Sequence, residues 1–207
     1  RRLHDNSMNV LVPSLSMVEE LERYNFENLK VWNRGVDTEL FNPNKRNRND
    51  NDIQLTYVGR VAIEKNIEEF LKLKGNYIKT IVGDGPELQK YINKYPDVNF
   101  VGLKRGKELA EYYANADVFV FPSKTDTLGN VIFEALACGT PVAAFPVTGP
   151  KDILKDSKLN TLDDRLGNSI EKALKVNRND CRDFAMKFTW EDCANEFLDS
   201  QIDSKIQ

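Results

Sequence analysis

The 207 residues of the chain include 41% hydrophobic and 29% charged side chains, which predicts a globular domain with a buried core. With 29 basic and 32 acidic residues the formal net charge is −3, so no overall attraction to nucleic acid or to an anionic membrane is expected. No apolar run is long enough to span a membrane. Cys138, Cys181 and Cys193 form no C-x-x-C pair, which argues against a disulfide framework or a zinc site and favours a reducing, cytoplasmic location.

Apolar runs and segments with helical periodicity alternate along the chain. Ser14 follows the first apolar run and is a candidate helix cap, while the Asn- and Lys-rich segment 42–52 is typical of an exposed, mobile loop. Strands are predicted at 9–12, 31–32, 53–58, 77–82, 98–101, 117–121 and 141–145. Helices are predicted after Ser14 and at 67–73, 87–95, 107–115, 130–137, 162–176, 180–187 and 190–200.

This alternation indicates an α/β fold. The strands are nearly continuous apolar runs, which is typical of strands that are covered on both faces. Because they are interleaved with helices, they predict a doubly wound, Rossmann-like parallel sheet. Ligands of such sheets bind beyond the carboxyl ends of the strands, where the strand order reverses. The residues that follow each strand are therefore the candidates for a functional site.

The first candidate segment follows the strand at 53–58. Gly59 allows a sharp turn, and Arg60 and Lys65 then lie on one loop just before a helix. Two cations beside a helix N-terminus suit a diphosphate. The alternative interpretation is a solvated pair of surface cations.

The second candidate segment, Gly83-Asp84-Gly85-Pro86, follows the strand at 77–82. Its glycines permit a close approach of the backbone to a ligand. A plain turn into the next helix explains the same residues equally well, and Asp84 could then be a helix cap.

The third candidate segment runs from the end of the strand at 117–121 into the helix at 130–137. Asp126 lies in the loop and Glu134 about one turn into the helix, so both could face a cavity at the helix start. The backbone N–H groups of 128–131 suit a phosphate, and the carboxylates suit sugar hydroxyls. Glu134 could also be an exposed helix residue, but its neighbours are nearly all apolar, and a buried charge needs a partner.

In order and spacing these segments resemble the C-terminal domain of glycosyltransferase family 4. The members of that family are retaining enzymes of the GT-B architecture. The resemblance extends over 9–190. It rests on Arg34-Gly35-Val36-Asp37-Thr38…Phe41-Asn42-Pro43, Gly59-Arg60…Lys65, Gly83-Asp84-Gly85-Pro86, Val98-Asn99-Phe100-Val101-Gly102, and Pro122-Ser123…Asp126…Glu134-Ala135-Leu136-Ala137-Cys138-Gly139-Thr140-Pro141-Val142.

The resemblance implies a role for each candidate residue. Arg60, Lys65 and Asp126 would be catalytic: the two cations would bind the diphosphate of a nucleotide-sugar donor, and Asp126 would contact the transferred sugar. Glu134 would bind the ribose hydroxyls. The implied donor-binding set is Gly59, Gly83, Gly102, Leu103, Lys104, Thr127, Leu128, Gly129, Asn130, Val131 and Glu134. The stretch Gly102-Leu103-Lys104 would pack against the base. The implied reaction needs no metal and no other cofactor, since the cations and the helix N-terminus neutralise the departing diphosphate.

The resemblance also implies a division into domains. Residues 1–8 would be a remnant of an N-terminal domain or a linker, 9–187 the nucleotide-sugar-binding domain, and 188–207 a helix that crosses back to the N-terminal domain. That domain would bind a lipid or glycan acceptor and could associate with a membrane surface, so we expect this chain to be inactive alone, with Leu198 and Ile202 exposed.

Two features depart from the family pattern, and other functions stay open. Asp126 stands where the family usually has Glu, and the histidine often found in the cleft is not matched, because the single His4 lies at the chain start. A GT-B-like epimerase or phosphorylase remains an alternative, although we find no lysine signature for pyridoxal phosphate. A non-catalytic nucleotide-binding module is a further alternative. The sequence does not decide between a GDP- and a UDP-sugar, or between mannosyl and glucosyl transfer.

Overall fold

The computed structural model describes residues 7, 9–48, 51–126, 129–155 and 158–202. The strands are β1 (Val10–Val12), β2 (Leu29–Val31), β3 (Ile53–Val58), β4 (Tyr77–Val82), β5 (Asn99–Gly102), β6 (Val118–Phe121) and β7 (Val142–Ala144). The helices are α1 (Leu15–Arg23), α2 (Ile67–Leu71), α3 (Leu88–Lys94), α4 (Gly106–Asn115), α5 (Asn130–Ala137), α6 (Thr148–Leu154), α7 (Leu166–Ala173), α8 (Arg178–Ala185) and α9 (Trp190–Ile202). Short 3₁₀ turns lie at Pro43–Lys45 and Ile63–Lys65.

Five parallel strands form the main sheet in the order β5-β4-β3-β6-β7. The chain moves outward from β3 to β5 on one side and from β6 to β7 on the other, so the strand order reverses between β3 and β6. The sheet is covered on both faces, because alternate residues of a strand enter different apolar cores. In β6, Val118 and Val120 pack with α2, α3 and α7, whereas Phe119 and Phe121 pack with α4, α5 and α8. The predicted doubly wound parallel sheet is confirmed.

The start and the end of the described chain meet outside this sheet. β1 and β2 pair in parallel as a separate sheet of two strands, joined by α1. Helix α9 packs against this unit: the indole of Trp32 donates to the Cys193 carbonyl oxygen at 2.9 Å, and its ring lies 5.5 Å from that of Phe197. The predicted unit 9–187 therefore includes β1, α1 and β2, which do not join the main sheet. Helix α9, which lies in the predicted crossing segment 188–207, contacts Trp32 just after β2. Leu198 is 57% exposed, whereas the side chain of Ile202 lies outside the described residues.

The starts of α1, α6 and α7 show which local sequence signals predicted a helix correctly. Ser14 accepts a hydrogen bond from the Met17 N–H at 3.3 Å and caps α1 as predicted. No helix was predicted at the position of α6, because Gly149 and Pro150 are poor helix formers. Both lie in its first turn, where the missing N–H of proline removes no hydrogen bond. The helix predicted at 162–176 is shorter and spans only Leu166–Ala173.

The segment predicted as a mobile loop at 42–52 is held in place over its described part. Asp117, which precedes β6, accepts hydrogen bonds from Arg46 at 2.8 Å and Arg48 at 2.7 Å. Arg46 also donates to the Ala114 carbonyl oxygen at 3.1 Å, at the end of α4. We call Asp117, Arg46 and Arg48 the arginine clasp. Polar composition indicated a loop correctly, but it did not show that this loop is anchored.

Candidate functional site

A groove with a volume of about 570 Å³ lies at the carboxyl ends of β3 and β6, where the strand order reverses. Ligands of doubly wound sheets bind at this position. Seven residues predicted from sequence line it: Gly59, Arg60, Lys65, Asp126, Gly129, Asn130 and Val131. Thr127 and Leu128 lie outside the described residues. The groove therefore brings together two loops that are about sixty residues apart in the chain.

The loop after β3 is shaped by close backbone packing. Gly83, at the end of β4, has φ +147°, and a Cβ there would lie 1.9 Å from the Gly59 carbonyl oxygen. Only glycine allows these two strand ends to approach so closely. The close contact of Gly83 is thus with the end of the neighbouring strand, and Arg60 follows Gly59 in the lining of the groove. The Arg60 side chain is 65% exposed and lies 3.4 Å from Glu64.

A buried tyrosine supports the same loop. Tyr57 lines the groove, and its hydroxyl donates to the Arg60 carbonyl oxygen at 2.8 Å. Burial raises the pKa of Tyr57, with the carboxylates of Asp126 and Glu64 adding to the shift, so the hydroxyl remains protonated and can donate. The strand pattern of 53–58 indicated a buried position here, but it did not indicate the hydrogen bond.

Lys65 and Asp126 connect the two loops across the groove. The Lys65 Nζ lies 2.5 Å from Asp126 Oδ1, and both side chains are partly buried. Asn66, with φ +52°, donates to the Pro122 carbonyl oxygen at 3.1 Å and reinforces the connection. The predicted diphosphate-binding lysine is therefore paired with the carboxylate that was predicted to contact a sugar.

The N-terminus of α5 opens onto the groove. Gly129 precedes the helix with φ +77° and provides no side-chain cap. Among the residues that the structure describes, none accepts a hydrogen bond from the N–H groups of Asn130 and Val131. Unpaired donors at the positive end of a helix dipole are suited to bind an anion.

Glu134 lies one turn further along α5 and has a partner that sequence reasoning did not identify. Its Oε2 accepts a hydrogen bond from the hydroxyl of Tyr113 in α4 at 2.8 Å. Burial raises the pKa of Glu134 above its usual 4.5, and the bond from Tyr113 opposes that rise. Glu134 is not among the residues that line the groove, and it follows the lining residues Asn130 and Val131 along α5. A buried tyrosine in an apolar helix face needs a hydrogen-bond partner, which is the one signal that could have indicated Tyr113.

The residues predicted to pack against a base lie one strand further along. The Gly102 carbonyl oxygen accepts from the Gly83 N–H at 2.9 Å, which links β5 to the end of β4. Leu103 is 60% exposed, and Lys104 pairs with Glu108 of α4. This stretch borders the sheet at the carboxyl end of β5, and its contact with a base stays a prediction.

The described residues contain neither a cluster suited to a metal ion nor a helix suited to span a membrane. No cluster of three or more His, Cys, Asp or Glu side chains suited to a metal ion occurs among the described residues. No helix there combines the length and the apolar character that a membrane span requires. The three cysteines are buried and unpaired.

Comparisons with known proteins agree with this geometry. The family model of glycosyl transferases group 1 matches residues 39–187. A GDP-mannose-dependent alpha-mannosyltransferase of Mycobacterium tuberculosis is 35% identical over 171 residues, covering 78% of this chain and 45% of the relative. A sulfoquinovosyl transferase of Arabidopsis thaliana is 34% identical over 177 residues, covering 76% of this chain and 34% of the relative.

A solved structure gives the same architecture. Sucrose-phosphate synthase from Thermosynechococcus elongatus superposes with a TM-score of 0.84 at 25% identity, covering 99% of this chain and 60% of the synthase chain. The chain spans less than half the length of the two sequence relatives. On the family match and the fold together, the chain belongs to the glycosyl transferases group 1 family and has the fold of a GT-B glycosyltransferase domain.

Proposed function

We propose that this chain is the donor-binding half of a retaining glycosyltransferase that uses a nucleoside diphosphate sugar. The observation that carries the proposal is the groove at the point of strand reversal, which is lined by Arg60, Lys65, Asp126 and the free amides of α5. Cations and helix amides provide donors for a diphosphate, and the carboxylates of Asp126 and Glu134 provide acceptors for hydroxyl groups.

The chemistry follows from where charge develops during transfer. The bond between C1 of the sugar and the terminal phosphate oxygen breaks, and its electron pair moves to the diphosphate. Lys65, Arg60 and the α5 amides stabilise this charge, while the sugar gains oxocarbenium character. The oxygen of the acceptor hydroxyl then forms the new bond to C1, its proton passes to the departing phosphate oxygen, and we propose that the transfer retains the configuration at C1. This mechanism requires no metal.

The donor and the acceptor are the less specific parts of the proposal. The 35% identity to a GDP-mannose-dependent enzyme favours a GDP-sugar, and a UDP-sugar is the alternative for the same groove. A lipid or glycan acceptor would bind to a second domain, which could also provide peripheral membrane association. The free, buried cysteines favour a cytoplasmic location for the enzyme.

Calorimetry with GDP, UDP, GDP-mannose and UDP-glucose tests the proposal. Lys65→Met removes one charged donor to the diphosphate, a contact that contributes roughly 1.5–3 kcal/mol, so affinity should fall by roughly 10- to 100-fold. Lys72→Met is the matched control, because Lys72 lies on the exposed side of α2 and pairs with Glu68. If the folded wild-type chain binds none of the four nucleotides, the proposed function is wrong.

A further inference from the structure

Tyr113 is a buried polar side chain that contacts Glu134 and does not line the groove itself. It is fully buried in α4. Its ring packs edge-on against Phe41 and Phe119, with centroids 5.9 Å and 5.4 Å away. Its carbonyl oxygen accepts from the Thr140 hydroxyl at 2.7 Å. Because packing fixes both ring and backbone, the position of the hydroxyl is fixed as well.

The hydroxyl of Tyr113 engages only one oxygen of Glu134. It donates to Oε2 at 2.8 Å, and within the described chain no side chain or amide donates to Oε1. Asn130, one turn earlier on the same face of α5, lines the groove. An ionised carboxylate accepts several hydrogen bonds, so Glu134 retains acceptor capacity beside a site proposed to bind a nucleotide.

We propose that Tyr113 is a positioning residue for donor binding: it holds Oε2 of Glu134 so that Oε1 remains available to a ribose hydroxyl of the donor. This inference rests on the proposed function. A carboxylate held by one rigid donor loses little further freedom when it accepts a second hydrogen bond, which favours binding.

The same contact makes donor binding depend on pH. Glu134 accepts best when ionised; burial raises its pKa and the Tyr113 hydroxyl lowers it. Burial also raises the pKa of Tyr113 well above 10, so the hydroxyl stays a donor. Without that hydroxyl the pKa of Glu134 rises further. Donor affinity should then begin to fall at a higher pH as the solution is acidified.

The buried titratable groups packed around this pair are not carboxylates. Cys138, at the end of α5, has a pKa raised by burial to about 12. Tyr57 of β3 has a pKa above 10 because of burial. Arg178 and Arg182 of α8 donate to backbone carbonyl oxygens at the ends of α4 and α5. The carboxylates of Asp126 and Glu64 line the groove and are present in both proteins, so the difference in acidic midpoint between wild type and Tyr113→Phe reports on Glu134.

The test compares Tyr113→Phe with the wild-type chain by calorimetry against pH. The ligand is a GDP- or UDP-sugar, whose doubly esterified diphosphate keeps its charge over the range. We expect roughly tenfold weaker binding at neutral pH and an acidic midpoint at higher pH. Tyr91→Phe is the matched control, since Tyr91 is a buried tyrosine in α3 that packs in the other apolar core. It should leave the midpoint unchanged.

A donor analogue that lacks the ribose hydroxyls separates positioning from a loss of stability. With this analogue the difference between wild type and Tyr113→Phe should disappear, because its Glu134 contact is already absent. If the difference persists, or if the midpoint does not move while wild type binds the donor, the inference is wrong and the proposed function stands. If wild type binds no nucleotide sugar, both are wrong.

A second measurement on wild type covers the case in which Tyr113→Phe does not fold. The Tyr113 hydroxyl proton should be visible by NMR and protected from exchange, and Glu134→Gln should shift it. Adding the donor should leave this proton in place, since the ribose takes the other oxygen. If the donor abolishes the signal, Tyr113 does not hold Glu134 in the bound state and the inference is wrong.

Discussion

The two ends of β6 carry carboxylates in opposite situations. At the amino end, Asp117 accepts hydrogen bonds from Arg46 and Arg48 and from the Gln54 N–H at 2.9 Å. Burial by itself would raise its pKa, but these three donors outweigh burial and the pKa lies below 3.8. Protein donors saturate the Asp117 carboxylate, and they stabilise its ionised form.

At the carboxyl end, the carboxylates are left with unused acceptor capacity. Among the described residues Glu134 has one donor, Tyr113, and its pKa lies above 4.5 because burial dominates. Asp126 pairs with Lys65 across an open groove. The difference separates two uses of the same chemical group: a saturated carboxylate anchors the chain, whereas an unsaturated one beside a cavity is suited to bind a ligand.

Removing the Asp117 carboxylate should have the largest effect on the free energy of unfolding. Asp117→Asn removes the carboxylate charge that Arg46 and Arg48 both contact, and loss of one partner of a partly buried pair should lower the free energy of unfolding by about 2–4 kcal/mol. Urea denaturation measures this, and calorimetry should show unchanged donor affinity. Asp180→Asn is the control, because Asp180 pairs at 3.4 Å with Lys158, whose side chain is 71% exposed, and loss of this contact should matter much less.

The pH dependence of the free energy of unfolding gives a second test of the role of Asp117. A carboxylate with a lowered pKa contributes stability above its unfolded pKa, and the contribution disappears as pH falls through the folded value. Wild type should therefore lose stability below about pH 3.8 more steeply than Asp117→Asn does. Equal slopes for the two proteins would contradict the role of the clasp.

The sequence was sufficient for the sheet and for the position of the groove, and the reasons are physical. Continuous apolar runs require cover on both faces, and parallel strands bring their carboxyl ends to one edge. Hence Gly59, Lys65 and Asp126 could be placed together before any contact was known. The direct Lys65–Asp126 pair could not be predicted, because it depends on the conformations of two loops.

The Tyr113–Glu134 contact and the arginine clasp could not be predicted from local sequence patterns, for a related reason. Tyr113 and Glu134 lie on different helices, and their contact arises from how α4 and α5 pack on the sheet. The arginine clasp joins positions about seventy residues apart through a segment whose composition indicates only a loop. Hydrogen-bond need can be predicted from burial, but the identity of the partner requires the tertiary structure.

An intermediate effect is expected when the ion pair across the groove is removed. Asp126 competes with a diphosphate for Lys65 and repels its negative charge. Asp126→Asn should therefore bind free GDP or UDP more tightly, by roughly three- to tenfold for about 1 kcal/mol. The sugar nucleotide should gain less, since its sugar loses an acceptor. Parallel calorimetric titrations give the ratio of the two affinities, and a weaker affinity for the free diphosphate would contradict the competition.

The smallest effect should come from Glu134, with a sign opposite to that of Asp117. Because its folded pKa is raised, Glu134 contributes stability below its unfolded pKa and loses that contribution as pH rises through the folded value. At neutral pH the ionised side chain is less favourable than a neutral one of the same shape. Glu134→Gln keeps an acceptor for Tyr113 and should raise the free energy of unfolding by roughly 0.5–1 kcal/mol.

Urea denaturation at about pH 5 and about pH 8 measures this gain, which should be larger at the higher pH. Donor affinity of the same variant should fall, because an amide is a weaker acceptor than a carboxylate. A variant that is less stable than wild type at the higher pH would show that Glu134 is an anchor like Asp117. The contrast between the two ends of β6 would then be lost, because both carboxylates would stabilise the fold in their ionised form.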